Sequence, residues 1–286
     1  MPLWRQPLPL REQIQQWRKQ GERIALVPTM GCLHAGHLAL VERAAELCDR
    51  VVVSIFVNPL QFAAGEDLER YPRTLEADYQ ALLDAGDCDA VFAPAEHTLY
   101  PHGRAGITQV HVPDISSRHC GAFRDGHFDG VTTVVALLFN MVAPDVAVFG
   151  EKDRQQLYLI SRMVRDLHIP VDVVGVPTVR EADGLAMSSR NRYLSAAQRE
   201  QVGVFPQQLD WLQQQSHDGE LGWAEARRRA WATWEEAGLE PDYLDLVNAD
   251  FEPVDQWVAG GGYVLAAVKI GNARLIDNRA LRNATS

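Results

Sequence analysis

The sequence predicts a parallel, doubly wound α/β sheet followed by a smaller α+β domain, and three observations predict it. Short, almost wholly apolar runs recur at residues 23–27, 50–57, 145–149 and 171–176, as strands buried on both faces do. Helical periodicity separates each run from the next, the pattern of βαβ units. After Ala186 the order changes to two helices and then two strands.

Taken in order, residues 8–20 have the spacing of a short amphipathic helix. The run 23–27 is the first buried strand. Thr29-Met30-Gly31-Cys32-Leu33-His34-Ala35-Gly36-His37 turns it into a helix over residues 38–47. Residues 50–57 form the next strand, ended by Asn58-Pro59-Leu60-Gln61-Phe62. Tyr71-Pro72-Arg73-Thr74 opens a helix to about Ala85. Residues 89–93 read as a third short strand, and the alternating stretch 108–112 is a candidate fourth. Gly126-His127-Phe128-Asp129-Gly130 opens a long apolar helix over residues 131–142. Residues 145–149 are again a buried strand, with Gly150-Glu151-Lys152-Asp153 at its C-terminal end, where a helix begins. Residues 171–176 complete the sheet.

In the second part, residues 196–214 and 223–237 read as helices, and 243–247 and 263–270 as strands. The last is approached through Gly260-Gly261-Gly262. The polar run 213–219 reads as a loop between the helices. Trp4, Trp211, Trp223, Trp231, Trp234 and Trp257 fall outside the expected sheet core. The expected division is residues 1–184 for the sheet domain and 185–286 for the smaller one.

Composition narrows the function. The chain has 286 residues, 47% hydrophobic and 23% charged, as globular proteins do. Its 27 Lys and Arg against 38 Asp and Glu give a net charge of −11, which argues against non-specific nucleic-acid binding. Cys32, Cys48, Cys88 and Cys120 form no CxxC pair, so neither a zinc site nor a disulfide framework is expected. The first residues lack a signal-peptide core, and no apolar run approaches the roughly 20 residues that span a bilayer. A reduced, cytoplasmic protein with no membrane partner is the expectation.

In a doubly wound sheet, ligands bind beyond the C-terminal strand ends. Three polar segments fall there: the turn bearing His34 and His37, the stretch from Asn58 to Gln61, and Gly150 to Asp153. The two histidines are three apart, on one face of a first helical turn, where free backbone N–H groups suit an anion. Gly31 and Gly36 permit close approach of a ligand to the backbone. A bare pair of histidines is more often a capped helix start or half a metal site, and the strand–turn–helix setting argues otherwise. No GxxxxGK[ST] loop and no GxGxxG follow the first strand, so this is neither a P-loop NTPase nor an ordinary dinucleotide-binding protein. Met187-Ser188-Ser189-Arg190-Asn191-Arg192 concentrates hydroxyls and guanidiniums in one loop, against the plainer reading of a helix cap. Lys152 is a point charge after a strand end, where an isolated lysine is usually only solvated. Asp153 suits a ribose hydroxyl or magnesium, or else an N-cap. Asn58 and Gln61 are uncharged donor–acceptors, or else simple turn formers.

These segments carry a resemblance. Pro28 to His37 resembles the His-x-Gly-His signature of the nucleotidyltransferase superfamily, and Met187-Ser188-Ser189-Arg190 its second phosphate loop. More narrowly, the chain is similar to the pantoate–β-alanine ligase family. The matching segments are Ser54-Ile55-Phe56-Val57-Asn58-Pro59-Leu60-Gln61-Phe62, Tyr71-Pro72-Arg73-Thr74, Gly126-His127-Phe128-Asp129-Gly130-Val131, Phe149-Gly150-Glu151-Lys152-Asp153, Gln155-Gln156-Leu157, Ser188-Ser189-Arg190-Asn191 and Ala273-Arg274-Leu275-Ile276-Asp277-Asn278. Any one is weak, but in this order they span almost the whole chain.

The resemblance implies a Rossmann-like ATP domain, a C-terminal domain that closes over it with residues 187–191 at the hinge, and a homodimer. It implies ATP-dependent, AMP-forming ligation of (R)-pantoate to β-alanine through pantoyl adenylate, a step of coenzyme A precursor synthesis, with Mg²⁺ carried on the ATP phosphates and no assigned protein ligand. It marks His37 as proton donor and His34, Lys152 and Arg190 as catalytic. ATP is expected on Met30, Gly31, Cys32, Leu33, His34, Ala35, Gly36 and His37. Further ATP contacts are expected from Gly150, Glu151, Lys152, Asp153, Val179, Met187, Ser188, Ser189 and Arg190. Gln61, Gln156 and Asn58 are expected at pantoate, with Gln156 chosen over Gln155 because the motif aligns there, and Gln61 also at β-alanine. Two departures stand out. Ala35 replaces a frequent acidic residue, and Asp125 replaces a usual proline beside Arg124 and His127, whose roles stay open. A plain nucleotidyltransferase and a nucleotide sensor without chemistry are the rivals.

Overall fold

The computed structural model describes every residue except Ala64, Ala259, Gly260 and residues 282–286; the side chain of Asp218 is likewise outside it. The approach to the last-but-one strand at Gly260 therefore lies outside the described residues. The chain forms two compact units. The first is Met1–Glu151 with Gln156–Pro177, and the second is Lys152–Gln155 with Thr178–Ser286.

The first unit holds a six-stranded, wholly parallel sheet: β1 (Leu3–Trp4), β2 (Ile24–Thr29), β3 (Arg50–Ile55), β4 (Ala90–Phe92), β5 (Val146–Gly150) and β6 (Asp172–Val176). Their order is β1-β4-β3-β2-β5-β6. Successive strands run outward from β2 through β3 to β4. The chain then returns to place β5 on the other side of β2. The reversal therefore falls between β2 and β5, where a doubly wound sheet opens its ligand crevice. Ala25, Val27, Val51, Val53, Val91, Val146 and Val148 are buried together, beneath Leu40, Val41 and Ala44 of helix α2 (Ala35–Leu47). Parallel strands covered on both faces have no solvent side, which is why they read as unbroken apolar runs.

The connecting helices are α1 (Pro7–Lys19), α2, α3 (Leu75–Ala85), the one-turn α4 (Glu96–Leu99) and α5 (Cys120–Phe123), α6 (His127–Val142) and α7 (Arg154–Asp166). Pro7 and Pro9 sit in the first turn of α1, where a missing N–H costs nothing.

In the second unit, β7 (Glu240–Asn248), β8 (Gly262–Ile270) and β9 (Ala273–Leu281) form an antiparallel sheet. The helices α8 (Ala196–Gln201), α9 (Val204–Asp218) and α10 (Trp223–Glu236) accompany it. Phe205 and Trp234 meet edge to face at 5.3 Å in its core.

Five expectations need correction. The second unit has a third strand, β9, beyond the two expected; it completes the sheet by pairing with β8. Residues 108–112 are not a strand. Val110 instead donates its amide to Thr133 Oγ1 (2.9 Å), and its carbonyl accepts from Thr132 Oγ1 (2.5 Å). Two hydroxyls of α6 thus take the place of a ladder. The helix expected over 196–214 is broken into α8 and α9, because Pro206 has no N–H for the Val202 carbonyl one turn back. The polar run after Gln213 continues α9 to Asp218; glutamine is a good helix former, and the stop is Gly219 at φ +66°. Trp4 belongs to the sheet after all, pairing with Phe92 at its edge.

Candidate functional site

In the first unit the site begins where β2 ends. Thr29 Oγ1 accepts the Gly31 amide (3.1 Å) and donates to the Ser54 carbonyl (2.9 Å), so the turn stays attached to β3. The backbone then makes two left-handed steps, Gly31 at φ +79° and Cys32 at +53°. A Cβ on Gly31 would stand 2.8 Å from Asp78 Oδ2, so only glycine fits without displacing that carboxylate. Asp78, on α3 and 3% exposed, holds the turn from below. Its Oδ2 accepts the Cys32 amide (2.9 Å) and its Oδ1 the Leu33 amide (2.7 Å). Thr74 Oγ1 donates to the same carboxylate at 3.1 Å.

This turn delivers two histidines to the start of α2. His34 is the N-cap: its Nδ1 accepts the Gly36 amide at 3.2 Å. His37 Nδ1 accepts the His34 amide at 3.4 Å, and the ring centroids lie 4.1 Å apart. Both rings therefore spend Nδ1 as an acceptor, which leaves Nε2 as the proton-bearing nitrogen of each. The first turn of α2 contains no acidic residue, so nothing on the helix cancels its positive end. The arrangement suits a polyanion: a helix dipole and two N–H donors.

Beyond β3, Asn58 and Gln61 are both buried, at 1% and 8% exposure. Asn58 Nδ2 donates to Gln61 Oε1 (3.1 Å) and to the Gly130 carbonyl (3.0 Å). Its Oδ1 accepts the Leu60 amide (3.2 Å) and the Tyr100 hydroxyl (2.6 Å). Burial pushes the Tyr100 phenol above its ordinary range, so it remains a donor. Gln61 Nε2 reaches Met30 Sδ at 3.0 Å, which joins this turn to the histidine turn.

The Gln61 carbonyl accepts from His127 Nδ1 (2.7 Å) and Arg124 Nη2 (3.2 Å). Arg124 Nη1 also meets His127 Nε2 at 2.9 Å. A guanidinium only donates, so Nε2 accepts and the proton sits on Nδ1. Glu66 grips the other edge of Arg124 with two contacts of 2.7 Å. Gly130 closes the arrangement. A Cβ there would stand 2.3 Å from the Leu60 carbonyl oxygen, so α6 can lie on the Asn58–Gln61 turn only with glycine at that place.

In the second unit, Lys152 lies in a 3₁₀ turn, Glu151–Asp153, directly after β5. Its Nζ is 3.8 Å from Asp153 Oδ2. Asn278 Nδ2 donates to the Lys152 carbonyl at 3.0 Å. Met187 donates its amide to the Val179 carbonyl (3.0 Å), closing a hairpin before the serine–arginine loop. Ser188 caps the 3₁₀ turn Ser189–Tyr193, its Oγ accepting the Arg190 amide at 3.3 Å. Of the paired glutamines, Gln155 is buried at 6% exposure and Gln156 is the more exposed.

The structure thus joins Met30 to Gln61 and Asn58 in the first unit, with His34 and His37 at the end of the same turn. In the second unit Val179 meets Met187 and leads to Ser188. Sequence reasoning missed Asp78, Tyr100, Glu66 and Asn278 as supports. Asp78 alone left a signal: a carboxylate one turn before buried Leu82, on the core face of α3. Among the described residues, no three His, Cys, Asp or Glu side chains group as a metal site. No helix there is long and apolar enough to cross a membrane.

A family model described as pantoate-beta-alanine ligase matches residues 3–280. A pantothenate synthetase of Hahella chejuensis is 52% identical over 273 residues, covering 94% of this chain and 95% of the relative. One from Stutzerimonas stutzeri is 52% identical over 270 residues, covering 94% of each. Among solved structures, pantothenate synthetase from Thermus thermophilus superposes with a TM-score of 0.90 at 46% identity, covering 98% of this chain and 99% of that one. The pantoate-beta-alanine ligase of Francisella tularensis, solved with beta-gamma ATP and beta-alanine, gives 0.80 at 32% identity, covering 98% of this chain and 97% of that one.

Proposed function

The chain belongs to the pantoate-β-alanine ligase family, and on that premise we propose how its own residues condense pantoate with β-alanine using ATP. The observation that carries the reading is the strand order. The turn with His34 and His37 follows β2, Gly150 ends β5 and Glu151 follows it, and those two strands are neighbours at the reversal of the sheet.

In the first step a pantoate carboxylate oxygen attacks the α-phosphorus of ATP. The bond to the bridging β-phosphate oxygen breaks, and pyrophosphate leaves. In the second, the β-alanine amine attacks the acyl carbon of pantoyl adenylate, the acyl–oxygen bond breaks, the amine loses a proton, and AMP leaves. Charge builds on the departing pyrophosphate, so donors aimed at it lower the barrier. In this reading the Nε2–H groups of His34 and His37, Lys152, Ser188, Ser189 and Arg190 supply them, and residues 30–36 shape the turn against which the triphosphate lies. His37 is the proton donor. Gly150, Glu151, Asp153, Val179 and Met187 hold adenosine.

Gln61 and Gln156 hold pantoate, and Gln61 then meets β-alanine, so one amide orients both partners of the second bond. Asn58 serves pantoate chiefly by fixing Gln61, because its own carboxamide is committed to four protein partners. Mg²⁺ enters with the triphosphate as part of the substrate and screens its charge. The same reading takes the enzyme as a cytoplasmic homodimer with no nucleic-acid or membrane partner, which light scattering of the purified protein tests for its stoichiometry.

The deciding experiment measures pyrophosphate release from MgATP with pantoate, with and without β-alanine, for wild type and His37→Ala. Release should require pantoate, and AMP with pantothenate should follow only when β-alanine is present. The variant should be slower by about 10²–10³, the cost of one lost oxyanion donor elsewhere. No pantoate-dependent release from folded wild type would overturn the ligase reading.

A further inference from the structure

We propose that Asp277 and Asn278, adjacent on β9, are positioning residues that set Lys152 with one side chain and the Val179–Arg190 segment with the other. The inference deepens the functional reading above and rests on it.

Strand alternation sends neighbouring side chains to opposite faces. On β9 the core-facing places run Ala273, Leu275, Asp277, Arg279, Leu281. Two charged residues thus occupy places that apolar ones would fill at lower cost, and a buried ion pair is a poor source of stability. The Asp277 carboxylate has no exposed surface. It takes Arg180 in a two-pronged grip: Nη1 to Oδ2 at 2.7 Å and Nη2 to Oδ1 at 3.1 Å. Arg279 Nη1 adds 2.8 Å to Oδ2, while Arg279 Nε pairs with Asp210 at 2.6 Å. The planar fork fixes direction as well as distance.

What Arg180 holds gives the cluster its meaning. Arg180 Nη1 also donates to the Gly184 carbonyl (3.0 Å), bracing the hairpin in which Arg180 bridges Ala186 and Met187 returns to Val179. Asn191 Nδ2 then ties the far end of the serine–arginine loop to the Ala186 carbonyl (3.1 Å) and to Glu181. On the opposite face of β9, Asn278 Nδ2 reaches the Lys152 carbonyl at 3.0 Å. The Asn278 amide meanwhile donates to Asp277 Oδ1 at 2.8 Å. One dipeptide therefore registers two separate phosphate-directed elements of the second unit against each other. Neither residue needs to touch a substrate.

The test is Asn278→Ala, with the two half-reactions read separately. Pantoate-dependent pyrophosphate release should fall about tenfold, the worth of one neutral hydrogen bond that sets the Lys152 backbone. Conversion of chemically prepared pantoyl adenylate with β-alanine should stay within about threefold of wild type, because its leaving group carries no pyrophosphate. Amide hydrogen exchange at residues 150–153 should rise in the variant without any substrate. Asp277→Asn should raise exchange at residues 179–191 as well. Equal loss in both half-reactions, or unchanged release with unchanged exchange, overturns the proposal. Wild type lacking pantoate-dependent release would instead sink the ligase reading, while the exchange measurement would still judge the positioning role.

Discussion

Asp78 Oδ1 accepts the Leu33 amide at 2.7 Å, and through that contact a helix outside the histidine turn decides where the turn stands. With Cys32 on the other oxygen, one carboxylate supplies acceptors for consecutive amides just after two left-handed residues, a conformation the turn would not hold by itself.

Asp78→Ala should leave two largely buried N–H groups unpaired, at roughly 1–3 kcal/mol each. Thermal unfolding should show a clear loss of stability, and pantoate-dependent pyrophosphate release should drop at least tenfold. Asp78→Asn retains one acceptor oxygen and should fall between the two. Equal activity of the Ala variant and wild type would refute the anchoring role.

Gly130→Ala places a methyl group 2.3 Å from the Leu60 carbonyl and 2.6 Å from the Gln61 amide, both backbone atoms that cannot swing away. Overpacking of this kind costs about 1–3 kcal/mol. Steady-state kinetics should show higher KM for pantoate and β-alanine, with KM for ATP within about twofold, since the strain falls on the turn that carries Gln61.

His127→Leu removes the ring N–H that fixes the Gln61 carbonyl and the acceptor that fixes Arg124. The Gln61 carbonyl keeps its contact from Arg124 Nη2 and Arg124 keeps Glu66, but each loses one hydrogen bond, so KM for pantoate should rise about tenfold. His127→Gln, which keeps a donor and an acceptor, should recover part of the loss. Identical kinetics for Leu and Gln would show that the hydrogen bonds play no part.

Cys88 is pushed from its ordinary 9.0 up to about 12, chiefly by burial. The native thiol should therefore resist iodoacetamide at pH 8, as mass mapping can show, and react once the chain is unfolded. Linkage has a definite sign here. The folded form keeps a proton that the unfolded form releases, so this contribution to stability is whole below pH 9 and fades as pH climbs toward 12.

The sheet was legible because strands such as Val51–Val53 have no solvent face, and the histidine turn because two glycines and two histidines sit at a strand–helix junction. Two kinds of feature escaped. Leu3–Trp4 is too short to show any period, and its pairing with Val91 and Phe92 is set by residues almost 90 positions away. The supports escaped for the same reason. Asp78 shows in the sequence only that it lies on the core face of its helix, and Asn278 lies in a stretch with no strand expected, so what each one holds is evident only once Leu33 and Lys152 are seen beside them. Residues 108–112 show the opposite error. Alternation was present, but no neighbouring strand offered a ladder, and two threonine hydroxyls took up the backbone groups.

The tether from Asn278 to Lys152 spans 126 positions of sequence, and that distance is also an interval of time on the ribosome. At about 5–20 residues per second, the lysine emerges roughly 6–25 s before the strand that steadies it. A nascent chain can complete β2, α2 and the histidine turn early, yet its main cationic turn waits for the last strand to dock. Any fragment ended by a stop codon or protease before β9 would carry the signature motif with Lys152 untethered.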